Sequence, residues 1–315
     1  MRNTWIRIGC WSLLAAVGGV VVAGAARAQA RRQVENQAQA SGLFAGSATP
    51  QLVSKQFKFT EGPAVDKAGN VFFTDQPNNR IWKYDTHGQL SVFMDPAGRA
   101  NGLYFDHQGN LLACADEHNQ LWSISPDKKV TVLVDLPPGH RLNGPNDVWV
   151  APGGGIYFTD PYYQRDYWAR TAPEQPGEYV YYLAPGQHQP TVVETELKKP
   201  NGLIGPHDGR TLYVGDIDGN KTYRYQLGPN GALTNRQVFA DQSSDGMTID
   251  ERGNVYLTGS KGVTVYSPGG KRLAHIEVPG AWTGNVCFGG KDRKTLFITA
   301  SEAVYVLPMR VKGGQ

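Results

Sequence analysis

Six oxygen-bearing side chains recur at one position of a repeating pattern: Glu61, Asn101, Asn146, Asn201, Asp245 and Asn285. None is Lys, Arg, His or Cys. Brought to one point, they would offer hard carboxylate and amide oxygens carrying two negative charges. Such a donor set suits one divalent metal, Ca²⁺ first and Mg²⁺ or Mn²⁺ next. Zinc, which usually takes His or Cys, comes last. A lone Asn-Gly or Asp-Gly pair would read as turn chemistry. Six polar anchors at the same place in a repeat argue for a shared role.

The elements that must position them are legible in the spacing. Each anchor opens an apolar run, then a Gly-containing turn, then a second run, as in Glu61-Gly-Pro-Ala-Val and Val71-Phe-Phe-Thr-Asp75. The anchors are separated by 40, 45, 55, 44 and 40 residues. A period in the forties built from two hairpins predicts an all-β, six-bladed β-propeller over residues 51–310. The sixth unit lacks a fourth strand after Leu307, and Gln51 to Phe59 supplies one from the other end of the chain. The ring is therefore expected to be closed by an N-terminal strand. The first strand of every blade lines the central channel, so the six anchors converge at one mouth. The gap of 55 holds an insertion, Gln164 to Gly177, that is polar and aromatic. Insertions in repeat arrays collect on one face, often the binding face.

Composition agrees. The 315 residues include 38 Gly and 20 Pro, with 40% hydrophobic and 10% aromatic residues, which excludes coiled-coil, collagen-like and helical-bundle classes. Residues 1–30 join a basic start, an apolar stretch from Ile8 to Ala26 and small-x-small triplets ending at Ala30. They read as a signal peptide. Export to the periplasm or the medium is the expectation, with no membrane attachment after cleavage. Residues 31–50 read as a loose leader. The +3 net charge comes from three Arg in the first thirty residues, so the mature chain is neutral and carries no basic stripe for nucleic acid. Cys114 and Cys287 fall in apolar strands and are expected to stay unbridged.

The motifs Glu61-Gly-Pro, Leu142-Asn-Gly-Pro-Asn-Asp147, Phe158-Thr-Asp-Pro-Tyr162, Pro200-Asn-Gly-Leu203 and Asp245-Gly-Met run in order along about 250 residues. They resemble the gluconolactonase / senescence marker protein / luciferin-regenerating family. The resemblance implies a six-bladed propeller with a divalent metal in its channel, and lactone hydrolysis. By it, the metal ligands are Glu61, Asn146, Asn201 and Asp245. It also points to Arg99, Asn101, His118, Asp160, Tyr162 and Asn285 as substrate contacts. The mammalian branch has Arg two residues before the equivalent of Asn146, whereas Gly144 stands here.

The chemistry expected is hydrolysis of a cyclic ester of a small sugar. A metal would polarise the carbonyl. Calcium acidifies water weakly, so a carboxylate must act as base: Asp245 first, Asp147 second. Asp245 could instead attack directly. There is no Gly-x-Ser-x-Gly elbow. Two alternatives stand beside this: a hydrolase of another ester, such as a phosphotriester, and a non-catalytic propeller that a metal merely stabilises.

Overall fold

The computed structural model describes residues 42–45 and 48–314. Twenty-four strands form six four-stranded antiparallel sheets. The first strand, β1 (Gln51–Ser54), stands apart from the blade that follows it. Blade one is β2 (Thr60–Val65), β3 (Val71–Asp75), β4 (Arg80–Tyr84) and β5 (Leu90–Met94). Blade two is β6 (Ala100–Phe105), β7 (Leu111–Ala115), β8 (Gln120–Ile124) and β9 (Val130–Val134). Blade three is β10 (Val148–Val150), β11 (Ile156–Asp160), β12 (Tyr179–Leu183) and β13 (Thr191–Glu194). Blade four is β14 (Pro200–Ile204), β15 (Thr211–Asp216), β16 (Lys221–Leu227) and β17 (Leu233–Ala240). Blade five is β18 (Met247–Ile249), β19 (Val255–Gly259), β20 (Gly262–Tyr266) and β21 (Arg272–Glu277). Blade six is β22 (Asn285–Gly289), β23 (Thr295–Ala300) and β24 (Ala303–Pro308), with β1 as its outermost strand.

The expected closure is present: Gln51 pairs with Val306 and Leu52 with Tyr305. Apolar side chains alternate along short strands, and their inward sets meet between blades rather than in one central mass. Phe72, Ala64, Leu103 and Leu111 fill the space between blades one and two. Phe57, Phe73, Cys287, Phe297 and Val304 fill the space between blades six and one. The innermost strands pack side by side around the hub, β22 returning to β2.

Two boundaries differ from the sequence expectation. Leu43 and Phe44 are buried against Met309 and Val311 near blade six, because their apolar side chains cover an otherwise open edge of that core. The stretch before β1 is thus not wholly loose, and the packed body reaches past residue 310. The proposed signal peptide, and the leader as far as residue 41, lie outside the described residues. Cys114 and Cys287 are both free and buried. Among the described residues no helix is long and apolar enough to cross a membrane.

Candidate metal centre at the hub

Each anchor sits at the start of an inner strand or one to two residues ahead of it. In blades one, two and four the ladder is irregular there, shifting register between Glu61 and Ala64, Ala100 and Leu103, and Pro200 and Leu203. Such bulges re-aim side chains at the rim of a sheet. The Asn-Gly pairs are therefore inner-strand features and not hairpin turns.

The glycine after an anchor has a packing reason. A Cβ on Gly62 would lie 2.1 Å from the Asn101 carbonyl oxygen, one on Gly202 2.4 Å from that of Asp245, and one on Gly246 1.9 Å from Asn285 Cγ. Each anchor's glycine thus lets the next blade's anchor approach. Gly284 closes the circle, since a Cβ there would meet Glu61 Oε1 at 2.6 Å. Threonines of the second strands stitch the same ring. Thr74 Oγ1 donates to the Asn101 carbonyl at 3.0 Å, and Thr159 Oγ1 to that of Asn201 at 2.8 Å.

Glu61, Asn101, Asn146, Asn201 and Asn285 are all buried, and Asp245 is partly exposed at the mouth. Glu61 and Asp245 come within hydrogen-bonding reach, and Asn201 also bonds Asp245. Burial, and then the charge of Asp245, hold the Glu61 carboxyl well above the usual carboxylate range. Burial pushes Asp245 up to about 6, opposed by the indole N–H of Trp282, which donates to its Oδ2. Asn201 Nδ2 donates to the Tyr163 hydroxyl at 3.0 Å, while Asn201 Oδ1 is buried without a partner. Two adjacent carboxylates, one buried and one at the mouth, and an orphaned amide oxygen are what a hard cation would satisfy. No group of three or more His, Cys, Asp or Glu suited to a metal occurs among the described residues, in keeping with a donor set half made of amides. Asn146 reaches the same ring from blade three, where its carbonyl accepts from Gly102 N–H at 2.6 Å.

The remaining candidates separate. Asp147 is buried, its carboxylate accepting from Val148 N at 3.0 Å, Leu203 N at 3.2 Å and the Asn285 amide. Burial raises it to about 7. It ties blades three, four and six. Asp160 is fully buried, and its two oxygens accept Asn143 N–H and Gly144 N–H, each at 2.8 Å. Asp75 and Asp216 hold the backbone at Lys58 and Lys199 in the same way, so Asp160 is the structural Asp of its blade. His118 is exposed and stacked on Trp122, with ring centroids 5.3 Å apart. Arg99 donates to the Pro77 carbonyl, pairs with Glu117 at 3.5 Å and lies over the Tyr167 ring. Tyr162 bonds Gln164 and supports Arg170 above its ring.

The insertion lies on the anchor side of the ring, because it joins the end of β11 to β12 and β11 runs antiparallel to β10. It is fastened by Asp116, whose Oδ2 accepts from Gln76 Nε2 at 2.9 Å, Arg165 Nε at 2.8 Å and Tyr167 OH at 2.6 Å. A side chain at Gly144 would collide with Asp116 and the Trp168 ring, which accounts for the glycine at that position. Sequence reasoning missed Tyr163, Arg165, Asp116 and Trp282. Arg165 lay inside the flagged insertion and Tyr163 directly before it; Asp116 directly follows its strand, where Gln76 stands in blade one; Trp282 stands three residues before an anchor.

A family model for the SMP-30/Gluconolactonase/LRE-like region matches residues 59–302. The chain belongs to that family. A gluconolactonase of Zymomonas mobilis is 30% identical over 284 residues, covering 81% of this chain and 79% of its own. A pentonolactonase of Haloferax volcanii is 23% identical, covering 80% and 84%. Among solved structures, a gluconolactonase from Xanthomonas campestris superposes with a TM-score of 0.79 at 28% identity, covering 85% of this chain and 91% of that one.

Proposed function

We propose that this chain is a lactonase that opens sugar lactones at the hub, in the manner its gluconolactonase relatives' names describe. The observation that carries the reading is the meeting of Glu61, Asp245 and the unpartnered Asn201 Oδ1 in one ring at the hub, within a chain 30% identical to a gluconolactonase. Glu61, Asn146, Asn201 and Asp245 are proposed to hold one divalent ion, calcium by the hardness of the donors. When bound, such an ion supplies a Lewis acid for the lactone carbonyl. Asp245 is the base that takes a proton from water, since Trp282 fixes its Oδ2 and burial lifts it toward neutrality. Asp147, with its oxygens engaged by Val148, Leu203 and Asn285, serves as a tie. Tyr163 is kept protonated by burial and by Asp245, so its hydroxyl can donate toward the departing ring oxygen. The product is the open-chain acid.

The test is proton release from D-glucono-1,5-lactone by the purified chain, with calcium and after chelation. Calcium-dependent turnover, abolished in Asp245→Ala, is expected. Fluorophosphate turnover without lactone turnover, or full activity in Asp245→Ala, would overturn the reading. Export by way of residues 1–30 is proposed with it, and N-terminal sequencing of the secreted chain tests that step.

A further inference from the structure

Three arginines line the anchor-side mouth, and they are not equivalent. Arg99 gives an Nη group to the Pro77 carbonyl, and its Nε is buried. Arg170 gives both Nη groups to backbone carbonyls, those of Ala172 and Asn143. Arg165 is tethered only through Nε, to Asp116 at 2.8 Å. Among the described residues its two Nη groups take no protein hydrogen bond, and they are not among the buried orphans. The side chain is 22% exposed.

Its setting fixes where that free edge lies. The guanidinium carbon sits 5.4 Å from the centroid of Tyr163, whose hydroxyl meets Asn201 at 3.0 Å. Its positive charge is felt at Asp245. A planar fork lying over an aromatic ring and held by a buried carboxylate has few orientations left. Two donors in fixed geometry beside the hub match the adjacent hydroxyl oxygens of a polyol ring.

Granted the lactone hydrolysis proposed above, we propose that Arg165 binds the ring hydroxyls of the substrate and turns its carbonyl toward the Glu61–Asp245 hub. The blade-three insertion is then a specificity element as well as a cover. A hydroxylated lactone is the class it selects.

The experiment compares the full chain with Arg165→Met, Arg165→Lys and Tyr167→Phe on D-glucono-1,5-lactone, with thermal melts as a check on folding. Tyr167→Phe removes the other lid bond to Asp116 and leaves the guanidinium in place. Arg165→Met should lower kcat/KM about ten- to hundredfold, the effect of losing a charged hydrogen-bond donor. Most of the loss should fall in KM. Arg165→Lys should recover part of it, and Tyr167→Phe should stay within about twofold of the parent. Unchanged kinetics in Arg165→Met, or an equal loss in Tyr167→Phe, would overturn the assignment and leave the lactonase reading intact. A parent chain inactive on the lactone would remove both.

Discussion

The indole N–H of Trp282 donates to Asp245 Oδ2 at 2.5 Å, carrying a bond from the entry loop of blade six to the anchor of blade five. One carboxylate oxygen is thereby fixed, and the other is left to Glu61, Asn201 or a bound ion.

Trp282→Phe keeps the ring and deletes the donor. That donor lowers the Asp245 carboxyl, so its loss should raise it. The base form would then appear at higher pH. The acidic limb of the kcat/KM profile should move up by about one pH unit, with activity falling about twofold at pH 7 and approaching tenfold only on the acidic side of the limb. An unmoved limb would remove Asp245 as the titrating base.

Asn201→Ala deletes the orphaned Oδ1 and the bond to Tyr163. Calcium affinity, followed by the ion's effect on melting temperature, should drop about tenfold or more. Equal stabilisation of parent and variant by calcium would place the ion elsewhere.

The chelated protein should become less stable as pH rises. Asp147 stands at about 7 and Asp245 at about 6 in the folded chain, above the ordinary carboxylate value. The folded state therefore binds protons more tightly than the unfolded state. Their contribution is fully present below about pH 4 and is lost as pH climbs to about 7. Calcium should offset much of the loss at neutral pH. Melts between pH 5 and pH 8, with and without chelator, test both signs.

Gly246→Ala should injure stability and activity together. The new methyl would overlap Asn285 Cγ, and Asn285 is fixed by its own bonds to Val286 N and Asp147. Overpacking of this kind costs about 1–3 kcal/mol, roughly 3–10 °C in melting temperature. A melt identical to the parent's would show that the ring has slack.

The ring architecture was readable because it is repetitive. Glu61, Asn101 and Asn201 announce inner strands by type, interval and the glycine that follows, and β1 was visible as the strand missing after Leu307. The site was readable only where the repeat carried it. Asp160 looked like a pocket residue because its motif is local, while its role, holding Asn143 and Gly144, depends on a loop 16 and 17 residues upstream in the chain. Asp116 ties the insertion to blade one through partners 49 and 51 residues away on the one side and 40 on the other. His118 stacks on a neighbouring indole that no spacing rule singles out. Such contacts arise from tertiary placement, which a periodic pattern does not encode.

The pairing of Gln51 with Val306 also sets an order of events. The segment synthesised early must wait for one made some 250 residues later before it can find its hydrogen bonds. Until then the outer edges of β24 and β1 are both sticky, and closing so long a loop is slow. A chain truncated before β24 would keep five blades and the two inner strands of the sixth, with β1 unpaired and Phe57, Phe73 and Phe297 of the final seam laid open. Damage at the carboxyl terminus should therefore be felt first as aggregation, well before any loss of chemistry at the hub.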